Sequence, residues 1–191
     1  MDNIYQSPYF RILVVIFIMM STFFYSSHER RKIEVMQESS AQGSAVIKKL
    51  PKLDFTDWNS KTAFNTAAMA NSSKGLYVHF WATWCGPCEQ EFPAFLEYAK
   101  MFEASYVHFI LVAVKDEEVA VKKFLKKYKI LPANVRIVLD QSGDFMDHFG
   151  TLKLPETFLF KSSGDLLIHY PGPQDWGLTG MYNRTLIQLG M

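Results

Sequence analysis

Three stretches dominated by apolar residues organise the chain: residues 12–27 (ILVVIFIMMSTFFYSS), 76–82 (LYVHFWA) and 106–114 (YVHFILVAV). The second and third are short and rich in branched and aromatic residues, which predicts two buried strands. Between them the period changes. Phe92, Phe95, Leu96, Ala99 and Phe102 recur at helical spacing on one face, and Pro87 stands where a helix opens without needing its missing N–H. Pro93 falls inside that helix and is expected to kink it. Beyond the third stretch, Asp116 is expected to cap a helix whose apolar stripe is Val121, Phe124, Leu125 and Tyr128. Lys122, Lys123, Lys126, Lys127 and Lys129 form its solvated face. A third strand is predicted over 136–139 and a short helix over 144–149. Strands over 157–160 and 166–170 flank the turn sequence KSSGD, and a last helix covers 177–189. Strands alternating with helices and ending in a hairpin predict an α/β fold with a central mixed sheet flanked by helices.

The first stretch stands apart. It is uncharged, apolar on every face and bounded by Arg11 and by His28, Glu29, Arg30, Arg31 and Lys32. At about 1.5 Å per residue it reaches roughly 24 Å, short of the roughly 30 Å of a bilayer core, and the flanking arginines could snorkel across the difference. Residues 1–27 are therefore read as a membrane anchor or an uncleaved signal, since bulky Phe23, Phe24 and Tyr25 replace a small-residue cleavage site. Residues 28–49 are polar and read as a linker, and residues 50–191 as one domain. Counting lysines and arginines beside the first stretch, Arg30, Arg31 and Lys32 outweigh Arg11, which alone would leave the domain in the cytoplasm.

Composition narrows the function. Hydrophobic residues make up 49% of the 191, with 16 phenylalanines, enough for a core without covalent staples. The net charge of +1 and the lack of any nucleic-acid-binding pattern exclude a nucleic-acid partner from the reading.

The only two cysteines, Cys85 and Cys88, sit in FWATWCGPCEQEFP, residues 80–93. A disulfide between them closes too short a loop to stabilise the fold by chain entropy. Structural zinc calls for four ligands, and here there is no second CxxC pair and the five histidines are scattered. Covalent haem attachment requires His after the second cysteine, where Glu89 stands. No metal and no cofactor is expected. Redox chemistry fits the local physics: Cys85 follows a strand and precedes a helix, whose free N–H groups and dipole stabilise a thiolate. Cys88, one turn further in, is placed to resolve a mixed disulfide.

WCGPC after an aromatic strand resembles the thioredoxin superfamily. Together with GTLKLPETFLF (150–160) and GPQDW (172–176), the longer run resembles its membrane-anchored, extracytoplasmic branch, typified by TlpA, ResA and CcmG. The resemblance covers residue 50 to the C-terminus and implies a thioredoxin-like fold. It implies that Cys85 attacks and Cys88 resolves. Pro155 matches a cis-proline facing the disulfide, which leaves the Leu154 backbone free to pair with an extended client. Glu91 matches the branch's acidic residue, set beside Cys88 on the helix to carry its proton. Glu156 matches a second acid near the site, and Trp84 is expected to flank the thiol and cover it from water. Thioredoxin itself has a buried Asp where this chain has His79, read here first as a satisfied core histidine. The resemblance also implies a domain outside the cytoplasmic membrane, against the charge count, and this expectation is adopted.

The function expected is a thiol–disulfide oxidoreductase, reducing in direction, since Gly86-Pro87 is the thioredoxin dipeptide. Its partners would be disulfide-containing client proteins, apocytochrome c among the family's substrates, and a membrane thiol electron donor. Two alternatives stand beside it. A thiol peroxidase of peroxiredoxin type would need Arg136 or Arg184 at Cys85, since no arginine lies between Arg31 and Arg136. A binding module for extended chains would use the Leu154–Pro155 edge and leave the cysteines dispensable.

Overall fold

The computed structural model describes residues 12, 14, 16–22, 47–128 and 130–191. Residues up to 43 and from 44 onward form two separate units. In the first, residues 16–22 are helical and exposed. Most of the expected anchor and linker lies outside the described residues. Among the described residues no helix is long and apolar enough to cross a membrane.

The second unit holds a five-stranded sheet whose strands run, edge to edge, 135–140, 107–114, 75–81, 156–161 and 166–171. Its strands are β3 (Gly75–Trp81), β4 (Val107–Val114), β5 (Val135–Asp140), β6 (Glu156–Lys161) and β7 (Leu166–Pro171). β3, β4 and β5 are parallel, while β6 runs antiparallel to β3 and β7 antiparallel to β6. This is the mixed sheet the sequence predicts. All seven residues of β3 are buried, as expected of a central strand covered on both faces. Its alternation sorts the two cores. Tyr77 and Trp81 face one layer with Phe92, Phe95, Tyr98, Phe102 and Trp176. Leu76, Val78 and Phe80 face the other with Phe149, Phe158 and Phe160.

The helices are α1 (Thr66–Asn71), α2 (Gly86–Lys100), α3 (Glu118–Leu125), α4 (Asp144–Phe149) and α5 (Thr179–Leu189). α2 runs on through Pro93, whose ring faces outward and exposed. A buried hydroxyl cluster ties three elements together. Tyr77 on β3 and Tyr98 on α2 meet at 2.9 Å, and Thr185 on α5 lies 2.8 Å from Tyr98 and 3.1 Å from Tyr77. Around this triangle each hydroxyl can both give and receive, so none need be buried unsatisfied.

Three features differ from the sequence reading. A two-stranded antiparallel ribbon, β1 (Asp54–Thr56) and β2 (Ala63–Asn65), precedes α1. The stretch expected to be linker joins the domain before residue 50: Leu166 N donates to Lys48 O at 2.9 Å, and Lys49 bridges to Asp165. The N-cap of α3 is Glu117, not Asp116. Asp116 accepts from Glu117 N, but its carboxylate also takes Thr83 N at 2.6 Å and Thr83 Oγ1 at 2.9 Å. It ties the end of β4 to the loop leading into the cysteines.

Candidate active site

The end of β3 delivers the chain into Cys85, and α2 begins at the next residue. Cys85 is the N-cap, with its Sγ 3.3 Å from the donating Cys88 N. An amide aimed at sulfur stabilises negative charge there. Cys85 and Cys88 are joined as a disulfide with Cα atoms 5.3 Å apart. Cys85 retains 6% exposure and Cys88 none, so only the first sulfur has an approach from solvent.

Glu91 follows Cys88 by three residues on the buried face of α2. Its Oε2 accepts from Gln174 N at 2.7 Å and from Trp176 Nε1 at 3.2 Å. Its Oε1 has no hydrogen-bond partner and lies 3.7 Å from His79 Nε2, equally unpartnered. His79 is wholly buried, stacks on Phe95 and meets Thr157 Oγ1 through Nδ1 at 2.8 Å. Burial pushes the Glu91 carboxyl up from 4.5 to about 7, against the opposing pull of its two donors. Burial likewise holds the His79 imidazole down, from 6.5 to about 3. Both shifts favour the uncharged pair at mildly acidic pH, a protonated carboxyl beside a neutral imidazole. His79 is thus more than the satisfied core histidine the sequence suggests, because one ring nitrogen faces the acid behind the disulfide. A carboxyl that titrates near neutrality is suited to exchanging a proton with a neighbouring thiol.

Leu154 and Pro155 precede β6, and their peptide bond is cis. Leu154 is half-buried in the wall of a groove of about 560 Å³ that also contains Cys85 and Trp84. Trp84 is 63% exposed, with Nε1 donating to Lys115 O at 3.2 Å. It forms a wall of the groove rather than the expected cover. Glu156 departs from its expected place. Strand alternation turns Thr157 toward His79 and sends Glu156 to the opposite face of the sheet, where Oε1 pairs with His169 Nε2 on β7. Glu156 is 6% exposed and does not line the groove, so its side chain is not available to a client there.

Neither arginine lies at Cys85: Arg136 Nε is 3.4 Å from Asp57, and Arg184 Nε donates to Gly180 O. Among the described residues no group of three or more His, Cys, Asp or Glu is placed to hold a metal. The sequence reading missed Thr157, Gln174, Trp176 and Asp116 as supports of the site. The GPQDW run carried two of them, but nothing local says that its backbone and indole turn toward Glu91.

A buried CxxC disulfide capping a helix, beside a cis-proline loop on this sheet, defines a thioredoxin-fold protein. The chain belongs to the Redoxin family, whose pattern matches residues 45–183. It is 35% identical over 94 residues to the thiol-disulfide oxidoreductase ResA of Bacillus subtilis, a match covering 49% of this chain and 51% of that protein. The chain thus spans about half the length of the curated relatives it matches. Two of the many solved structures that share the fold serve as examples. One is a candidate thiol:disulfide interchange protein DsbE from Chlorobium tepidum, at TM-score 0.64 and 23% identity over 76% of this chain and 100% of that one. The other is StoA from Bacillus subtilis, at TM-score 0.57 and 21% identity over 70% and 96%.

Proposed function

We propose that this protein is a thiol–disulfide oxidoreductase that reduces disulfides in client proteins, held at the cytoplasmic membrane by its N-terminal segment with the domain outside. One observation carries the reading: a Cys85–Cys88 disulfide at the start of α2, open only at Cys85 and backed by Glu91. In the reduced protein, Cys85 thiolate attacks the client disulfide. A Cys85–client bond forms, and the client's other sulfur leaves as thiolate. Glu91 takes the proton from Cys88, whose thiolate then attacks Cys85 Sγ; the Cys85–client bond breaks, the client's second sulfur leaves as thiolate, and the internal disulfide closes. The client gains two electrons and two protons in all. A membrane thiol carrier returns two electrons to the protein.

The similarity to ResA supports the oxidoreductase class, and the Gly86-Pro87 dipeptide supports the reducing direction. Apocytochrome c is the client class we favour, on the resemblance to the anchored branch. The equilibrium redox potential of Cys85–Cys88, titrated against glutathione and dithiothreitol, tests this. A value near or below roughly −230 mV is expected; one near the roughly −120 mV of strong oxidants would reverse the direction.

A further inference from the structure

We propose that the groove beside Cys85 selects client segments carrying an acidic side chain next to the reacting cysteine. This rests on the oxidoreductase reading and adds to it a chemical class of client.

The groove pairs apolar walls with positive charge. Trp84 and Leu152 are 63% and 72% exposed, and half-buried Met146 also lines the groove. The charged residues lining it are Lys115 and Lys153, both exposed, and no Asp or Glu is among them. Among the described residues the ion pairs of lysine and arginine are made by Lys49, Lys61, Lys127 and Arg136, so neither groove lysine is neutralised. The acid next to Lys115, Asp116, is turned inward onto Thr83 and buried.

Lys115 is held in place rather than trailing free. Its φ of 48° is left-handed, a conformation that a residue with a side chain adopts only under constraint. Two hydrogen bonds flank it: Lys115 N donates to Asp140 O at 2.8 Å, and Lys115 O accepts from Trp84 Nε1. Gly143 leaves the space that the lysine stem fills, since a Cβ there would stand 2.4 Å from Lys115 Cε. Lys153 sits two residues before Pro155, on the segment an extended client would run beside.

A client strand reaching Cys85 therefore passes between an apolar wall and two unpaired ammonium groups. An Asp or Glu flanking its cysteine meets complementary charge, and a Lys or Arg meets repulsion. Two exposed charges at contact distance are expected to change the capture rate by about five- to tenfold at low salt, falling as ionic strength rises.

Three disulfide-bonded peptides, identical except for Glu, Gln or Lys on either side of the reactive cysteine, test this. Each is mixed with the reduced full-length protein, and its rate is divided by its own rate with dithiothreitol. That ratio cancels the effect of neighbouring charges on the peptide's sulfur. The order Glu > Gln > Lys is expected, with the Glu/Lys ratio shrinking in salt. The ratio should fall to within twofold in Lys115→Gln/Lys153→Gln and invert in Lys115→Glu/Lys153→Glu. Equal ratios in the parent protein, or a preference that survives both double variants, would overturn the groove proposal alone. If no peptide reacts while dithiothreitol still reduces Cys85–Cys88, the oxidoreductase reading falls and this proposal with it.

Discussion

Replacing Glu91 with Gln removes a titration while keeping the shape of the buried pair. The amide oxygen can accept from Gln174 N and Trp176 Nε1 as the carboxylate does, and the new NH2 faces the unpartnered His79 Nε2. The parent carboxyl is raised from 4.5 to about 7. An acid raised on folding stabilises the folded state below its unfolded value, and that contribution is lost as pH rises through the folded value. The full rise corresponds to about 3 kcal/mol, of which the interval between pH 5 and pH 8 covers about 2 kcal/mol. His79 acts in the other direction and at lower pH: an imidazole held down from 6.5 to about 3 destabilises the fold as pH falls through that interval. Comparing variant with parent at both pH values isolates Glu91 from this second slope. Urea unfolding of the oxidised proteins should show Glu91→Gln gaining about 2 kcal/mol on the parent from pH 5 to pH 8. In the reduced proteins, disulfide exchange above pH 7 should slow by about 10²-fold in the variant, the lower end of what a positioned acid–base group contributes. Parallel stability curves and equal exchange rates across that range would refute the role given to Glu91.

Further outcomes follow from its neighbours. Trp176→Phe keeps an aromatic ring, though a smaller one, and removes a donor that lowers the Glu91 carboxyl; the exchange profile should move to higher pH, at a stability cost of about 1–3 kcal/mol. His79→Leu leaves Glu91 Oε1 against hydrocarbon and Thr157 Oγ1 without its partner; the profile should again rise while stability changes by only about 1 kcal/mol. Asp116→Ala strips two hydrogen bonds from Thr83, in the loop before the cysteines, and one from Glu117 N. It should cost about 2–3 kcal/mol in urea unfolding and slow exchange with no change in its pH dependence. Gly143→Ala combines a φ of 90° with a Cβ against Lys115 Cε, and about 1 kcal/mol of destabilisation is expected.

How legible each part was in the sequence depended on how local its cause is. β3, β4 and α2 were readable because their apolar spacing is set by the faces they bury, and the pairing of Cys85 with a helix start follows from strand, proline and period alone. The β1–β2 ribbon was not. Its strands are three residues each, too short to show alternation, and they form because Phe55 inserts into the core while Asn65 caps α1 and bonds Asp54. Asp116 gave a local capping signal that lost to a bond with Thr83, 33 residues earlier in the chain. His79 illustrates the same limit, for its environment is made by Thr157 and Glu91, neither near it in sequence. Glu156 was recoverable in principle. In a strand, adjacent residues face opposite ways, so once Thr157 is opposite His79, Glu156 must point to the other layer.

The assignment of Cys85 as attacking and Cys88 as resolving group rests on the helix-start amide aimed at Cys85 Sγ and on 6% exposure against none. Trapping the mixed disulfide reads it out. Reduced Cys88→Ser, incubated with a disulfide-bonded peptide and analysed by mass after alkylation, should accumulate one peptide adduct, on Cys85. Reduced Cys85→Ser should accumulate none. An adduct on Cys88 in the second variant, or none on Cys85 in the first while dithiothreitol still reduces the parent disulfide, would contradict the mechanism.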